Sequence, residues 1–228
     1  MISNIVLFLS VVIGGLLGHF FKKQSKNNLK LILSFSGAYL LAISALHLLP
    51  EIFQSGDDHI GIYLLAGFIF QIVLEFFSKG LEHGHTHLHN NRVPMAMFVS
   101  LCIHALLEGM PVGNHQASHG LEPILIGIFL HKIPISIVLY SLFKQGNFSN
   151  IKIVIYLGVF AIMAPFGSEL ATHSFWISSY ANEIQAVVVG VFLHIATTIL
   201  FESTEGHRFN LMKLLTIISG VLLAWVSH

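Results

Sequence analysis

Eight apolar segments, separated by short polar connections, constrain this chain more than any other feature of its sequence. They cover residues 2–21, 29–49, 60–77, 93–112, 123–143, 151–170, 184–201 and 211–226. A helix needs roughly 17 to 25 residues to cross a bilayer, and each segment is near that length, although the last is slightly short. Lipid cannot hydrogen-bond the backbone of an open strand, so helices are favoured. We therefore predict an all-α polytopic membrane protein with eight transmembrane helices, folded as a single transmembrane domain over residues 1–228.

The composition agrees with a lipid environment. Of the 228 residues, 54% are hydrophobic and 10% are charged, whereas soluble domains carry about 25% charged residues. Eleven basic and eleven acidic residues give a formal net charge of zero, which offers no argument for a nucleic-acid partner. The single cysteine, Cys102, excludes an internal disulfide. We therefore expect the chain to lie in a lipid bilayer and to have no nucleic-acid partner.

Ten of the eleven Lys and Arg residues fall on one side of the predicted helix array. They are Lys22, Lys23, Lys26, Lys30, Lys79, Arg92, Lys144, Lys152, Arg208 and Lys213. Basic residues accumulate in cytoplasmic connections, so the pattern predicts that both termini lie outside. The expected location is the cell membrane, either a plasma membrane or a bacterial inner membrane. A 3+2+3 arrangement of the spans would permit an inverted repeat, because an odd number of spans reverses the second copy.

The fourth segment carries an ionisable pair, His104 and Glu108, on one helix face. Residues four apart share a face because an α-helix has 3.6 residues per turn, and ionisable groups in lipid are costly enough to indicate function. His131 in the fifth segment lies about as far from the connection at 114–122 as His104 does, so all three should meet at similar depth. Two imidazoles and a carboxylate suit Zn2+ and related cations. We predict a metal site; chance polar residues or a proton relay without metal are the alternatives.

Lys132, next to His131, is the one basic residue in the middle of a predicted span. A cation in the membrane interior needs an acidic partner, and Glu108 and Glu169 are the candidates. Such a pair either fixes two helices together or acts directly beside a transport site. The sequence alone leaves both interpretations open.

Other polar residues within the spans are candidates for positions along a metal pathway. His47 and Glu51 stand four residues apart at the end of the second segment. His194 lies within the seventh segment, and Glu169 lies near the end of the sixth. The alternative for these residues is a hydrogen-bonded position near the membrane interface. Glu75, close to the end of the third segment, is expected only to reach the interface.

Alternating histidines mark the connection between the third and fourth segments. His83, His85, His87 and His89 lie in a polar loop at about residues 78–92, which the charge pattern places in the cytoplasm. Such a loop forms no packed core and can chelate cations loosely. Metal capture for buffering or sensing is one interpretation, and an inert solvated loop is the other.

These motifs together resemble the ZIP (Zrt/Irt-like) family of divalent metal transporters. The resemblance covers nearly the whole chain and is carried by His-Leu-Leu-Pro-Glu at 47–51, HxxxEG at 104–109, HKIP at 131–134, PxG at 165–167 and the histidine-rich loop after the third span. It implies a metal path between the second, fourth, fifth and seventh spans, with His104, Glu108 and His131 at its centre. It also implies transport towards the cytoplasm.

Three positions depart from the pattern of family members that hold two metals. Those members carry a polar ligand after the first histidine, an acid or amide after the fifth-span residue and an acid before PxG. This chain has Ala105, Lys132 and Ala164 at these positions. An ammonium group in a poorly screened site repels a second dication. We therefore expect one metal rather than two.

The favoured function is transport of Zn2+ by alternating access, with Fe2+ or Mn2+ as further candidate substrates, no organic cofactor and no enzymatic activity. The alternative is an intramembrane zinc hydrolase, because three protein ligands leave an open position for a water that an acid such as Glu169 would activate. A membrane metal sensor that uses the histidine loop is a third hypothesis. The sequence leaves open whether the chain forms a homodimer.

Overall fold

Helices form every regular element in the part of the chain that the structure describes. The computed structural model describes residues 1–20, 26–54, 56, 58–78, 95–114, 121–202 and 211–227. The helices are α1 (Ile2–Phe20), α2 (Lys26–Ile43), a π-helical segment (Ser44–Leu48), α3 (Leu49–Gln54), α4 (Ile60–Ser78), α5 (Met95–Asn114), α6 (Leu121–Gln145), α7 (Asn150–His173), α8 (Phe175–Ser179), α9 (Ala181–Glu202) and α10 (Leu211–Val226). The predicted all-α class is confirmed for these residues.

Seven helical runs are long and apolar enough to cross a membrane. They are Ile2–Phe20, Asn28–Gln54, Ile60–Ser78, Met95–Gly113, Pro123–Gln145, Asn150–His173 and Ala181–Phe201. The second run joins α2, the π-helical segment and α3. α10 is apolar but has only 16 residues, so the eighth span remains a prediction. Large apolar side chains such as Phe76, Phe201 and Trp225 are exposed, as expected of helix faces that lie against lipid.

Successive spans run in opposite directions through the bundle. We call the end at which α1 begins the near end and the end at which α1 finishes the far end. At the near end, Asn4 of α1 donates a hydrogen bond to Glu169, late in α7. At the far end, His19 of α1 is hydrogen-bonded to Tyr140, late in α6. With the other helix contacts, this means that α1, α4, α6 and α9 run from the near end to the far end, while α2, α5, α7 and α10 run back.

The helices pack as two groups. In the first group (α1, α5, α6 and α7), α5 packs along α7 and α1 packs along α6. In the second group (α2, α4, α9 and α10), α4 packs along α9 and α2 packs along α10. The groups meet mainly through α2 with α6 and through α5 with α4 and α9. Packing is therefore more extensive within each group than between them.

The apolar cores differ between the two ends of the bundle. Towards the far end, the first group has its own buried cluster, which includes Leu139 and Phe143. The second group has a separate one there, which includes Leu33 and Ile199. Towards the near end, one shared core takes in side chains from both groups, among them Leu7, Ile43, Ile60, Val112, Ile128 and Phe192. The two groups are thus sealed together at the near end.

Glycines allow α4 and α9 to touch at the backbone. A β-carbon at Gly67 would overlap the carbonyl of Val187, and a β-carbon at Gly190 would overlap the carbonyl of Leu64. Each glycine therefore faces the backbone of the other helix. Small residues at membrane helix interfaces permit this close approach and the van der Waals contact that it brings.

Gly67→Ala is expected to destabilise the protein, because over-packing of this kind costs about 1–3 kcal/mol. Gly61 is a matched control on the same helix, since nothing lies within 4 Å of a β-carbon there. Thermal unfolding in detergent, followed by circular dichroism, should give a lower midpoint for Gly67→Ala. The Gly61→Ala midpoint should be unchanged or slightly higher, because alanine favours helix. Equal midpoints for the two variants would contradict the close α4–α9 contact.

Candidate metal centre

His104 and Glu108 lie in the middle of α5, and His131 lies in the middle of α6. All three side chains are fully buried. Nε2 of His104 is 3.0 Å from Oε1 of Glu108, and Nε2 of His131 is 4.0 Å from the same oxygen. The structure therefore brings together the three residues that the sequence predicts as ligands.

The two imidazoles meet edge to face beside the carboxylate. Their ring centroids are 6.2 Å apart, with an angle of 82° between the ring planes. One ligand atom from each of the three residues lies within 4.8 Å of the others, and no other group of three or more His, Cys, Asp or Glu side chains comes as close among the residues described. Zinc binds such nitrogen and oxygen atoms at roughly 2 Å. A small movement of the three side chains towards one another would therefore bring their ligand atoms to metal-binding distance.

Glu108 also pairs with Lys132, through its other carboxylate oxygen. Nζ of Lys132 donates to Oε2 of Glu108 at 2.7 Å, and both side chains are buried. The same ammonium group lies 5.0 Å from the ring centroid of Phe160 on α7, close enough for a cation–π interaction. Of the two acids proposed as its partner, Lys132 therefore contacts Glu108.

Ala105 and Ala164 are buried in apolar surroundings. Ala105 belongs to the core of the first group, and Ala164 belongs to the shared core. α5 and α7 touch at the backbone here, because a β-carbon at Gly109 would overlap the carbonyl of Ala164. At these two positions the chain therefore provides packing surface and no ligand atoms.

Each of the helices α5, α6 and α7 contains a proline, at Pro111, Pro134 and Pro165. Proline has no N–H, so Pro134 cannot donate to the carbonyl of Leu130, which precedes His131. A backbone acceptor is therefore present beside one of the candidate ligands. Such breaks in helical bonding are tolerated in membranes where the backbone is buried in protein.

A π-helical turn interrupts the second span at Ser44–Leu48. The N–H of Leu49 donates to the carbonyl of Ser44, five residues earlier instead of four. Pro50 follows directly, and in a regular α-helix its ring would clash with the carbonyl of Leu46. The wider turn thus lies where a proline disfavours the regular one, and π turns are frequent at functional sites.

The π-helical turn decides which residues of the second span face the core. Leu48 and Ile52 are buried, whereas His47 is half-buried and Glu51 is exposed. Glu51 accepts a hydrogen bond of 2.9 Å from Gln185 of α9. The structure therefore places both residues at the near end, with Glu51 at the surface and His47 partly buried.

Glu169 lies at the near end of α7, at the surface of the bundle. Its carboxylate accepts a hydrogen bond of 2.5 Å from Asn4 and lies 3.0 Å from the imidazole of His173. Half of its side chain is exposed. A hydrolase would need an acid beside the buried metal, and Glu169 does not take that position. The hydrolase alternative is therefore not supported.

His194 of α9 contacts Glu75 of α4 through its Nε2. Phe68 packs edge-on against the imidazole, with ring centroids 5.0 Å apart. The sequence predicts that Glu75 reaches the interface; in the structure it contacts His194, and 20% of its side chain is exposed. The spacing of Gln71, Glu75 and Ser78 on one face of an apolar helix is the signal that could have indicated an interior role. The histidine-rich loop of His83, His85, His87 and His89 lies outside the described residues.

Comparison with known proteins adds independent information. Residues 83–227 match the family described as ZIP Zinc transporter. Zinc transporter ZIP1 of Danio rerio is 30% identical over 147 residues, which cover 60% of this chain and 48% of that protein. Protein zntD of Dictyostelium discoideum is 29% identical over 173 residues, which cover 65% of this chain and 25% of that protein.

A third relative matches this chain over most of the length of both proteins. Uncharacterized protein MJ1036 of Methanocaldococcus jannaschii is 25% identical over 202 residues, which cover 83% of this chain and 82% of that protein. In contrast, the chain spans about half the length of ZIP1 and a quarter of zntD. The family is one of transporters rather than enzymes. Because the family match covers well over half of the chain and includes α5, α6 and all later helices, this chain belongs to the ZIP zinc transporter family.

Proposed function

We propose that the chain carries a divalent metal cation across the membrane, with Zn2+ as its first substrate. The observation that carries this proposal is the buried cluster of His104, Glu108 and His131 in the middle of two apolar helices. Ionisable groups at that depth are costly and mark ion pathways. Their nitrogen and oxygen atoms suit Zn2+, and Fe2+ or Mn2+ are further candidates. No organic cofactor is needed for this function.

Three protein ligands suit a substrate that has to leave again. Zinc is commonly four-coordinate, so a water would complete the site of His104, Glu108 and His131. Lys132 donates to Oε2 of Glu108 and so shares the charge of the one carboxylate that the cluster contains. The metal is therefore held less tightly than by a carboxylate without a cationic neighbour.

The same arrangement supports one metal in the central site. A second dication beside the first would need further ligands, and the alanines at 105 and 164 have none. It would also lie near the ammonium of Lys132, which is buried where charge is poorly screened. We infer that Lys132 takes the place of a second cation.

The division into two helix groups supports alternating access. The three candidate ligands all lie in the first group, on α5 and α6, so a movement of this group against the second would carry the whole site with it. The shared core closes the near end, whereas the cores are separate towards the far end. The central site is fully buried in this conformation, so opening towards the far end would require the two groups to move apart there.

The packing pairs support a 3+2+3 inverted repeat. In such a repeat, α1 corresponds to α7, the run from α2 to α3 corresponds to α9, α4 corresponds to α10, and α5 corresponds to α6. This exchange converts the α5–α7 pair into the α6–α1 pair. It also converts α4–α9 into α10–α2. All four pairs pack extensively. Two related halves of opposite orientation provide a basis for two alternative openings.

The charge pattern supports transport towards the cytoplasm. The described basic residues Lys30, Lys144, Lys152 and Lys213 lie at the far end, which the positive-inside rule makes cytoplasmic. The near end, with His47, Glu51 and Glu169, would then be the outer entrance in a plasma or bacterial inner membrane. Cytoplasmic metal capture by the histidines at 83–89 and a homodimeric assembly remain predictions.

Purified protein in vesicles is expected to take up radioactive zinc, and His104→Ala and Glu108→Ala should each lower uptake at least about tenfold, because each removes a metal ligand. His19→Ala is the control, since His19 is an exposed histidine whose ring contacts Tyr140. Its uptake should equal that of the wild type. Uptake unchanged by His104→Ala or Glu108→Ala would contradict the proposed site.

Lys132→Gln is expected to lower the KM for zinc roughly tenfold, because it removes a cation that competes for Glu108. Turnover should fall as release slows. The zinc absorption-edge fine structure of the wild type should show no neighbouring metal ion. If KM rose instead, Lys132 would act mainly by positioning Glu108, and a metal–metal signal in the wild type would contradict the single-metal proposal.

Cross-links should separate the two kinds of helix contact. A β-carbon at Gly127 of α6 lies 3.3 Å from Leu40 of α2, between the groups, and one at Gly15 of α1 lies 3.0 Å from Leu157 of α7, within the first group. In a Cys102→Ala background, one variant carries cysteines at residues 127 and 40, and a second carries them at residues 15 and 157. Mercury can bridge each pair. The first bridge should stop zinc uptake, while the second should leave it nearly unchanged. Equal effects would argue against movement between the groups.

A further inference from the structure

We propose that Glu75 and His194 form a second binding position for the transported divalent cation, between the central site and the far end of the bundle. We call this pair the α4–α9 station. The proposal rests on the transport function proposed above. It is carried by the contacts of the pair, its depth in the bundle and the polar residues beside it.

The station joins a carboxylate and an imidazole from two helices. Glu75 of α4 meets Nε2 of His194 of α9, and Phe68 holds the imidazole ring edge-on. The side chains are 20% and 11% exposed, respectively. The pair is therefore inside the bundle but not sealed, unlike the fully buried central site.

One hydrogen bond fixes the depth of the station relative to the central site. Ser100 of α5 donates to the carbonyl of Leu74, the residue before Glu75, at 2.6 Å. Ser100 precedes His104 by four residues, which correspond to about 6 Å along a helix. α5 runs from the far end to the near end, so Ser100 lies on the far side of His104. The station is thus about one helical turn from the central site, on the way to the far end.

Polar residues continue on the same face of α4. Gln71 is fully buried one turn before Glu75, at about the level of His104. Ser78 is buried one turn after Glu75, and its hydroxyl donates to the backbone carbonyl of Glu75. Ser78 ends α4, and His83 follows five residues later in the sequence. A line of polar groups therefore leads from the level of the central site to the far end.

The pair is not needed to hold α4 against α9. The two helices already touch at the backbone through Gly67 and Gly190. A buried ion pair stabilises little, because the cost of removing two charges from water offsets their attraction. A role for Glu75 and His194 in handling an ion accounts better for an ionisable pair in this position.

The chemistry of the station suits a passing cation. An imidazole nitrogen and a carboxylate oxygen are both zinc ligands. A metal ion binds the deprotonated nitrogen, so it would displace the proton shared by Nε2 of His194 and the carboxylate of Glu75. Two protein ligands leave the remaining positions to water. The station should therefore hold the ion more weakly than the three ligands of the central site, as release at the far end requires.

Two substitutions of His194 distinguish a metal ligand from a structural ion pair. Cysteine can bind zinc as a thiolate, so His194→Cys should keep zinc uptake within about threefold of the wild type. His194→Lys retains an ion pair with Glu75 but removes a metal ligand, so it should lower uptake at least about tenfold. Uptake retained by His194→Lys, or lost in His194→Cys while the protein remains folded by circular dichroism, would overturn the station.

Controls separate this proposal from the transport function itself. His19, which contacts Tyr140 rather than a carboxylate, is the matched site, and His19→Cys and His19→Lys should both transport like the wild type. The wild type and His104→Ala are measured in the same assay. Absence of uptake by the wild type would refute the proposed function. Uptake by the wild type and equally by His194→Lys would refute the station alone.

A second measurement covers variants that fail to fold. Crystals of the wild-type protein soaked in zinc should show anomalous scattering at the zinc edge between His194 and Glu75, in addition to the central site. The second peak should require a higher zinc concentration than the first. A filled central site with no peak at the station under saturating zinc would overturn the proposal.

Discussion

The carboxylate of Glu108 is the group on which the rest of this membrane protein depends. One of its oxygens faces the imidazoles of His104 and His131, and the other accepts a hydrogen bond from Lys132. Removing one partner of a buried ion pair leaves an uncompensated charge, which costs about 3–5 kcal/mol. Lys132 therefore links α6 to α5 directly beside the proposed metal site. The sequence left a link between helices and a role beside a transport site as alternatives, but the geometry allows one contact to serve both.

Much of the fold and the centre of the site follow from local rules. The apolar runs predict the helices because backbone groups in lipid must bond within their own segment, and their lengths match the bilayer. His104 and Glu108 share a face by helical periodicity. His131 reaches them because α5 and α6 place both histidines at equal depth. Seven spans and the three candidate ligands were therefore predictable, while the eighth span is too short to decide by length.

The remaining features depend on which helices are neighbours, and no local rule provides that. Glu75 and His194 are 119 positions apart, and they meet only because α4 packs along α9. The choice between Glu108 and Glu169 as the partner of Lys132 depended on the same information. Glycine pairs such as Gly67 and Gly190 indicate that close contacts exist, yet they do not identify the partner helix. Long-range packing thus determined what the sequence left open.

The π-helical turn at Ser44–Leu48 has a consequence for sequence alignment. The buried residues Tyr39, Ile43, Leu48 and Ile52 are four, five and four positions apart, so the turn absorbs one extra residue and keeps a single apolar face. A chain with one residue fewer here would present the same face as a plain α-helix, and its alignment with this chain would require a one-residue gap. Without the turn, each later residue would rotate by about 100°, and His47 and Glu51 would face the shared core. One extra residue thus keeps the carboxylate of Glu51 at the surface and out of the shared core.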